Sequence, residues 1–262
     1  MSTIAVQASR SASSRPLTVP AIRIAAILLT FVLWEMAARS GMFFKGVIPP
    51  LHLIVMALAS LLTSMELYYN LWVTGYELFW GLLIGGGIGF AIGLVLGSSD
   101  YLGKAFEPIV YYISPTPKII LFPIVIAWFG VDAGSKIGLG AIAAFFPVAL
   151  NVATGVRTIN PIWKRIGHSF RASRLQMLTK IYLPAMNGAI VNAFRLGFAV
   201  AMISILLAET KLSKEGLGFM VTHNFRSFDM PRMYALLAII FCIALVVNTI
   251  FTRMSGGRKR VV

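Results

Sequence analysis

Acidic residues are scarce in this chain: nine Asp and Glu stand against 23 Lys and Arg in 262 residues. The nine are dispersed, which leaves no carboxylate cluster for a membrane-embedded enzyme and no file of acids for a proton relay. Cysteine is nearly absent. The single Cys242 lies in an apolar run, so an internal disulfide and a Cys-based metal site are both excluded. His52, His168 and His223 are scattered without ligand spacing, and neither a metal nor another cofactor is expected. No Gly-x-x-x-x-Gly-Lys-Ser/Thr stretch occurs, so the chain carries no phosphate-cradling loop of that kind and reads as non-enzymatic. A formal charge of +14 would ordinarily suggest nucleic acid. Here the basic residues sit in short segments between apolar runs rather than in one basic domain with interleaved aromatics, and no nucleic-acid partner is expected.

Apolar surface, by contrast, is abundant. Hydrophobic side chains make up 58% of the residues and the mean hydropathy is +0.83, too much for a soluble core. The pattern predicts an all-α, polytopic integral membrane protein embedded in the lipid bilayer. Apolar runs cover 21–38, 71–97, 109–129, 137–156, 185–208 and 233–252, each close to the roughly 20 residues that cross hydrocarbon. The membrane-spanning unit is therefore 21–252, with about six spans. The first run is read as an uncleaved span rather than a signal peptide, because no soluble domain follows it. Residues 1–20, rich in Ser, Ala and Arg, are expected to be a disordered tail, and 253–262 a short basic one. The stretch 49–69 is amphipathic and is expected to lie along the outer face.

An even number of crossings puts both termini on one side, and the distribution of Lys and Arg chooses which. With the N-terminus inside, the inner segments hold Arg10, Arg15, Arg23, Lys104, Arg157, Lys164, Arg165, Arg171, Arg174, Lys180, Arg253, Arg258, Lys259 and Arg260. The outer segments hold Arg39, Lys45, Lys136, Lys211, Lys214, Arg226 and Arg232. The excess inside predicts that both termini, and the segment 157–184, are cytoplasmic.

Three features within the spans stand out. Gly81, Gly85, Gly89, Gly93 and Gly97 form a ladder at intervals of four, which reads as a close helix-packing face or as the lining of a path. Pro115, Pro117 and Pro123 open the third span, where they remove backbone hydrogen bonds and are expected to bend or break it; the segment is either part of a translocation route or a plain proline-rich helix start. Arg195 and Glu209 are ionisable residues in the fifth span, read either as structural or as ion-pairing and gating groups. Glu209 is expected at the hydrated outer boundary, and Lys118 in the headgroup region.

The segment from Gly167 to Pro184, GHSFRASRLQMLTKIYLP, places polar and charged side chains between two spans. On a single helical wheel, Phe170, Leu175, Met177, Leu178, Ile181 and Tyr182 share one half and Ser173, Gln176, Thr179 and Lys180 the other, with Arg171 and Arg174 intruding on the apolar half. That pattern alone fits a basic helix lying on anionic lipid as well as a helix docking onto a protein.

This segment resembles the cytoplasmic coupling loop of permease subunits of ATP-binding-cassette importers, which has a small Glu-Ala-Ala-like start, a glycine and an apolar-Leu-Pro finish. Gly167, Arg171 and Leu183-Pro184 occupy those positions, with Gly167 where the family usually has alanine and Arg171 where it usually has glycine. Trp128-Phe129-Gly130, Phe146-Pro147, Gly155-Val156-Arg157, Ala208-Glu209 and Gly216-Leu217-Gly218-Phe219-Met220 are similar to the branch serving nitrate, taurine and alkanesulfonates, over roughly 70–220. The resemblance implies a permease subunit in the bacterial inner membrane, paired with a second copy of itself, two cytoplasmic ATP-binding subunits and an extracytoplasmic substrate-binding protein. It also implies that Gly167, Ser169, Phe170, Arg171, Ala172, Ser173, Leu175, Leu178, Leu183 and Pro184 form the coupling loop, and that the cargo is a small anion. The rival class is an ion-coupled secondary transporter, whose usual repeated halves and paired broken helices are not evident here.

Overall fold

The computed structural model describes residues 18–44 and 46–256; most of the expected 1–20 tail, and Arg258, Lys259 and Arg260 of the basic tail, lie outside the described residues. The described residues contain helices and no strands. Helix α1 covers Thr18–Arg39 and α2 Leu51–Leu62. Helix α3 then starts at Met65 and runs to Ser98, so the surface-lying piece expected over 49–69 ends earlier and residues 65–69 belong to the spanning helix. The reason is a local start signal: the Ser64 side chain accepts from the Leu67 amide at 3.4 Å, and Glu66 occupies the positive first turn.

The region expected to be one span over 109–129 is instead two helices meeting at 87°, α4 (Asp100–Ile113) and α5 (Phe122–Phe129), joined through a 3-10 turn at Lys118–Leu121. Pro115 and Pro117 lie in the break. Pro123 does not break anything: it stands in the first turn of α5, where an N–H would have no helical partner anyway. Helix α6 (Ala133–Arg157) follows, then α7 (Pro161–Ser169), α8 (Arg174–Gln176), a π turn at Met177–Tyr182, α9 (Leu183–Ala185), α10 (Asn187–Leu212), α11 (Leu217–Arg226) and α12 (Met230–Gly256).

The core is the triple contact of α3, α6 and α10, and α6 is its axis. Leu139, Ala143, Ala144, Val148, Ala149, Val152, Ala153 and Val156 on that helix are fully buried. The glycine ladder faces it. A Cβ built on Gly85 would stand 1.9 Å from the Ala141 carbonyl oxygen, and on Gly89, Gly93 and Gly97 it would stand 2.6, 2.5 and 2.6 Å from those of Phe145, Ala149 and Ala153. Gly81 is looser, 3.3 Å from the Ile137 carbonyl oxygen. The partners advance by four with the glycines, so α3 and α6 run parallel, backbone against backbone. Parallel neighbours require the intervening chain to return to the starting end, and the bent pair α4–α5 makes that return. Helix α10 runs antiparallel to α6, Gly197 lying against Val148 and Gly155 against Ala189.

Helix α1 stands apart. Its C-terminal end is tied down by Trp34, whose Nε1 donates to the Pro49 carbonyl at 3.1 Å and whose ring meets Tyr234 edge-on at 5.1 Å, and by Glu35, which accepts from the Leu51 amide. The rest of its length shows Ile22, Leu28, Phe31 and Val32 fully to the outside. A helix that is apolar all round and unpacked is suited to lipid or to another membrane chain.

Candidate functional site

The segment between α6 and α10 is not one amphipathic helix but a folded hairpin. Asn160 caps α7 by accepting from the Ile162 amide at 2.9 Å, with Pro161 pre-set at the first helical position. Helix α7 ends with the Arg171 amide donating to His168 O and the Ala172 amide to Gly167 O, both at 3.0 Å, a Schellman arrangement. Its geometry puts Arg171 at φ +50, the left-handed conformation that favours glycine. That is the position where the family pattern usually carries glycine, and here arginine takes the strained turn. Ser173 then starts α8 with a reciprocal capping box to Gln176. Pro184 has no N–H to return to the preceding turn, and the chain widens into the π turn just before it.

Packing explains Gly167. A Cβ there would stand 2.3 Å from Met177 Sδ and 2.5 Å from Ile181 Cδ1, so the glycine lets the π turn close on α7. The expected apolar half is divided as a result. Met177 is buried inside the hairpin, Leu178 and Leu183 are half-buried, Ala172 is half-buried, and Ser169, Phe170, Leu175 and Pro184 are exposed. Phe170 is 83% exposed and Leu175 69%. The wheel also missed Ile162, Trp163 and Ile166, which project from α7 at 59%, 56% and 41% exposure. Ile162, Ile166 and Phe170 recur at intervals of four, a signal present in the sequence but cut off by starting the segment at Gly167.

A second constellation lies at the opposite end of the core. Glu209 is not at a hydrated boundary: it is 1% exposed, accepts from Thr74 Oγ1 at 2.7 Å and from the Gly218 amide at 2.6 Å, and is buried by the 213–218 turn. Asn70 accepts from the Gly216 amide and Thr74 Oγ1 from the Leu217 amide, at 2.7 and 2.9 Å. Gly216 has φ +101 and a Cβ there would fall 2.3 Å from a Glu209 carboxylate oxygen, so the Gly-Leu-Gly sequence is a requirement of this turn. Beside it, Glu77 is fully buried with Lys136 Nζ 3.1 Å from its Oε1, although neither carboxylate oxygen receives a well-aligned hydrogen bond. Lys136 is therefore a core residue of α6 and not the outer-loop charge it was expected to be.

Lys118 is likewise buried within the protein. Its Nζ donates to the carbonyls of Ile113 and Thr116 at 2.8 Å and to that of Ser114, and it sits 4.6 Å from the Phe146 ring centroid. The carbonyls freed by the proline break thus find a cationic cap. Pro115 and Pro117 are exposed at the break. Arg195, on α10, lies far from Glu209 along the same helix and bonds only to neutral groups. Among the described residues no group of His, Cys, Asp and Glu is arranged to hold a metal ion.

Among the described residues, five helices are long and apolar enough to cross a membrane, six if the bent α4–α5 pair counts as one span, and with the loop hairpin and its bare apolar face they make a polytopic membrane protein. Residues 84–256 match the family described as the binding-protein-dependent transport system inner membrane component. The chain belongs to that family, the multi-pass inner-membrane permease subunits of ATP-binding-cassette importers. It is 29% identical to the putative aliphatic sulfonates transport permease protein SsuC of Bacillus subtilis (strain 168), over 85% of this chain and 80% of the relative. It is 31% identical to the taurine transport system permease protein TauC of Escherichia coli (strain K12), over 61% and 58%. It is 23% identical to the nitrate import permease protein NrtB of Leptolyngbya laminosa, over 72% and 67%. The fold is similar to that of the MetNI methionine ABC transporter in an inward-facing conformation, with a TM-score of 0.62 at 18% identity over 80% of this chain and 98% of that one.

Proposed function

We propose that this permease works as a pair of copies, with both termini and the 157–184 loop in the cytoplasm, and that the α7 hairpin is the surface gripped by two ATP-binding subunits. The observation that carries the reading is the bare apolar face of Ile162, Trp163, Ile166, Phe170 and Leu175 on a rigid, capped hairpin. Lys164, Arg165 and Arg174 flank it and suit an acidic rim on the partner. Such a patch is an interaction surface, and a helix in a partner's groove buries it.

Closure of the ATP-binding pair would move the hairpin as a unit, because Gly167 locks α7 onto the π turn. The motion passes through Leu183-Pro184 directly into α10, which packs on α6 and α12. The spans then tilt about the broken α4–α5 pair, an alternating-access cycle driven from outside the chain. Pro115, Pro117, Arg195 and Glu209 are the candidate path or gating residues. An extracytoplasmic binding protein delivers the solute, and a sulfonate-, taurine- or nitrate-like anion is the cargo that the relatives' names favour.

Co-purification tests the docking face. Phe170→Glu or Trp163→Glu is expected to abolish capture of the ATP-binding subunit while the permease keeps its melting temperature, since exposed sites away from structural features shift stability by only about 0.5 kcal/mol. Undiminished capture by both variants would reject the assignment.

A further inference from the structure

Arg195 stands nine positions into α10, about 12 Å along the helix axis at 1.5 Å per residue. Three other cations that pack against the helices of the bundle are answered. Lys136 meets Glu77, Arg157 meets Glu107, and Lys118 is capped by three carbonyls. Arg195 is not answered by any acid: all nine acidic side chains lie among the described residues, and none comes within ion-pair distance of it. A guanidinium has five N–H donors in a fixed fork. Here Nη2 donates to Asn192 Oδ1 at 2.8 Å, and Nη1 makes a long contact of 3.4 Å with Thr252 Oγ1 on α12.

Those partners form a chain of donors running one way. Asn192 Nδ2 donates to Asn151 Oδ1 at 3.3 Å, and Asn151 Nδ2 donates to the Pro147 carbonyl at 2.8 Å. Thr252 Oγ1 donates its own proton to the Asn248 carbonyl. Each side-chain oxygen in the cluster is already accepting; Asn192 on α10 and Thr252 on α12 hold the guanidinium, Asn151 on α6 backs Asn192, and the guanidinium keeps donors to spare. Asn151, Asn192 and Arg195 are half-buried and Thr252 is exposed, near the end of the bundle that bears the α7 hairpin, with Ser255 and Arg253 close by in sequence to Thr252. What it lacks is an anionic acceptor.

We infer that Arg195, positioned by Asn192 and Thr252, is an oxyanion-binding site that takes a sulfonate or a phosphate ester. Two sources share that chemistry: the solute on its way through, and the phosphate of an anionic lipid seated between α10 and α12. The inference rests on the permease reading only in naming a solute as one of them. A lysine would supply the charge without the fork that matches two oxygens at once.

The test uses the full chain assembled with its ATP-binding subunit in two kinds of nanodisc, phosphatidylcholine alone and phosphatidylcholine with phosphatidylglycerol. Native mass spectrometry counts retained phosphatidylglycerol, and calorimetry follows sodium ethanesulfonate in the phosphatidylcholine discs. Binding of either probe is expected, about tenfold weaker in Arg195→Gln and about threefold weaker in Arg195→Lys and Thr252→Val. Retained phosphatidylglycerol identifies the lipid source and ethanesulfonate the solute source. Where Arg195→Gln does not assemble, the other two variants carry the comparison. Absence of binding by both probes, or binding unchanged across the variants, overturns the inference. Capture of the ATP-binding subunit is scored separately, so its failure bears on the permease reading and not on this site.

Discussion

At one end of the bundle charge is buried and paired; at the other, apolar side chains are bare on a small hairpin. The Glu77, Lys136 and Glu209 end is tied to α3, α6 and α10 through a glycine turn that no other residue type fits. The hairpin end makes few contacts with the spans, yet it is internally rigid through Gly167, a Schellman turn and a capping box. The first arrangement resists change within the membrane. The second resists change within itself and leaves its outer apolar face bare.

The difference predicts opposite responses to substitution. Gly85→Val should have the largest effect, because the Ala141 carbonyl occupies the space its Cβ needs; overpacking of a close backbone contact is expected to cost more than about 3 kcal/mol and to abolish folded protein on a detergent thermal-melt assay. Gly87→Val, on the same helix with nothing within 4 Å, is the matched control and should melt close to the parent. Glu77→Leu or Lys136→Leu alone should cost about 3–5 kcal/mol by stranding a buried charge, whereas the double variant recovers much of that loss. Equal melting temperatures for single and double variants would show the pair to be uncoupled. Smallest, and opposite in sign, is Arg171→Gly: relief of the left-handed conformation should raise stability by about 1 kcal/mol, read as a higher melting temperature with capture of the ATP-binding subunit retained.

Much of this was legible from periodicity. Apolar runs of spanning length found the long helices, and the four-residue glycine spacing found the α3 face that meets α6, because a helix repeats side by side at that interval. Pro115 and Pro117 found the broken span, though not its angle. The hairpin was misread because one helical wheel was drawn through a segment that turns at Phe170–Ser173; the Schellman turn there is carried by an arginine, which no rule of turn composition flags. Glu209 and Lys136 were placed by distance from span ends, a measure that says nothing of which neighbours cover them.

Composition and spacing by themselves determined that this chain crosses a membrane several times and which helix face is small enough for close approach; these follow from local hydrophobicity and from the fixed rise of the helix. Only the tertiary structure decided which charges are buried and paired, that α3 and α6 run parallel, and that the apolar side chains of the α7 hairpin are divided between a packed interior and a bare face. Those depend on contacts between residues far apart in the chain, such as Glu77 with Lys136 and Thr74 with Glu209, and no local pattern encodes a partner 59 or 135 positions away.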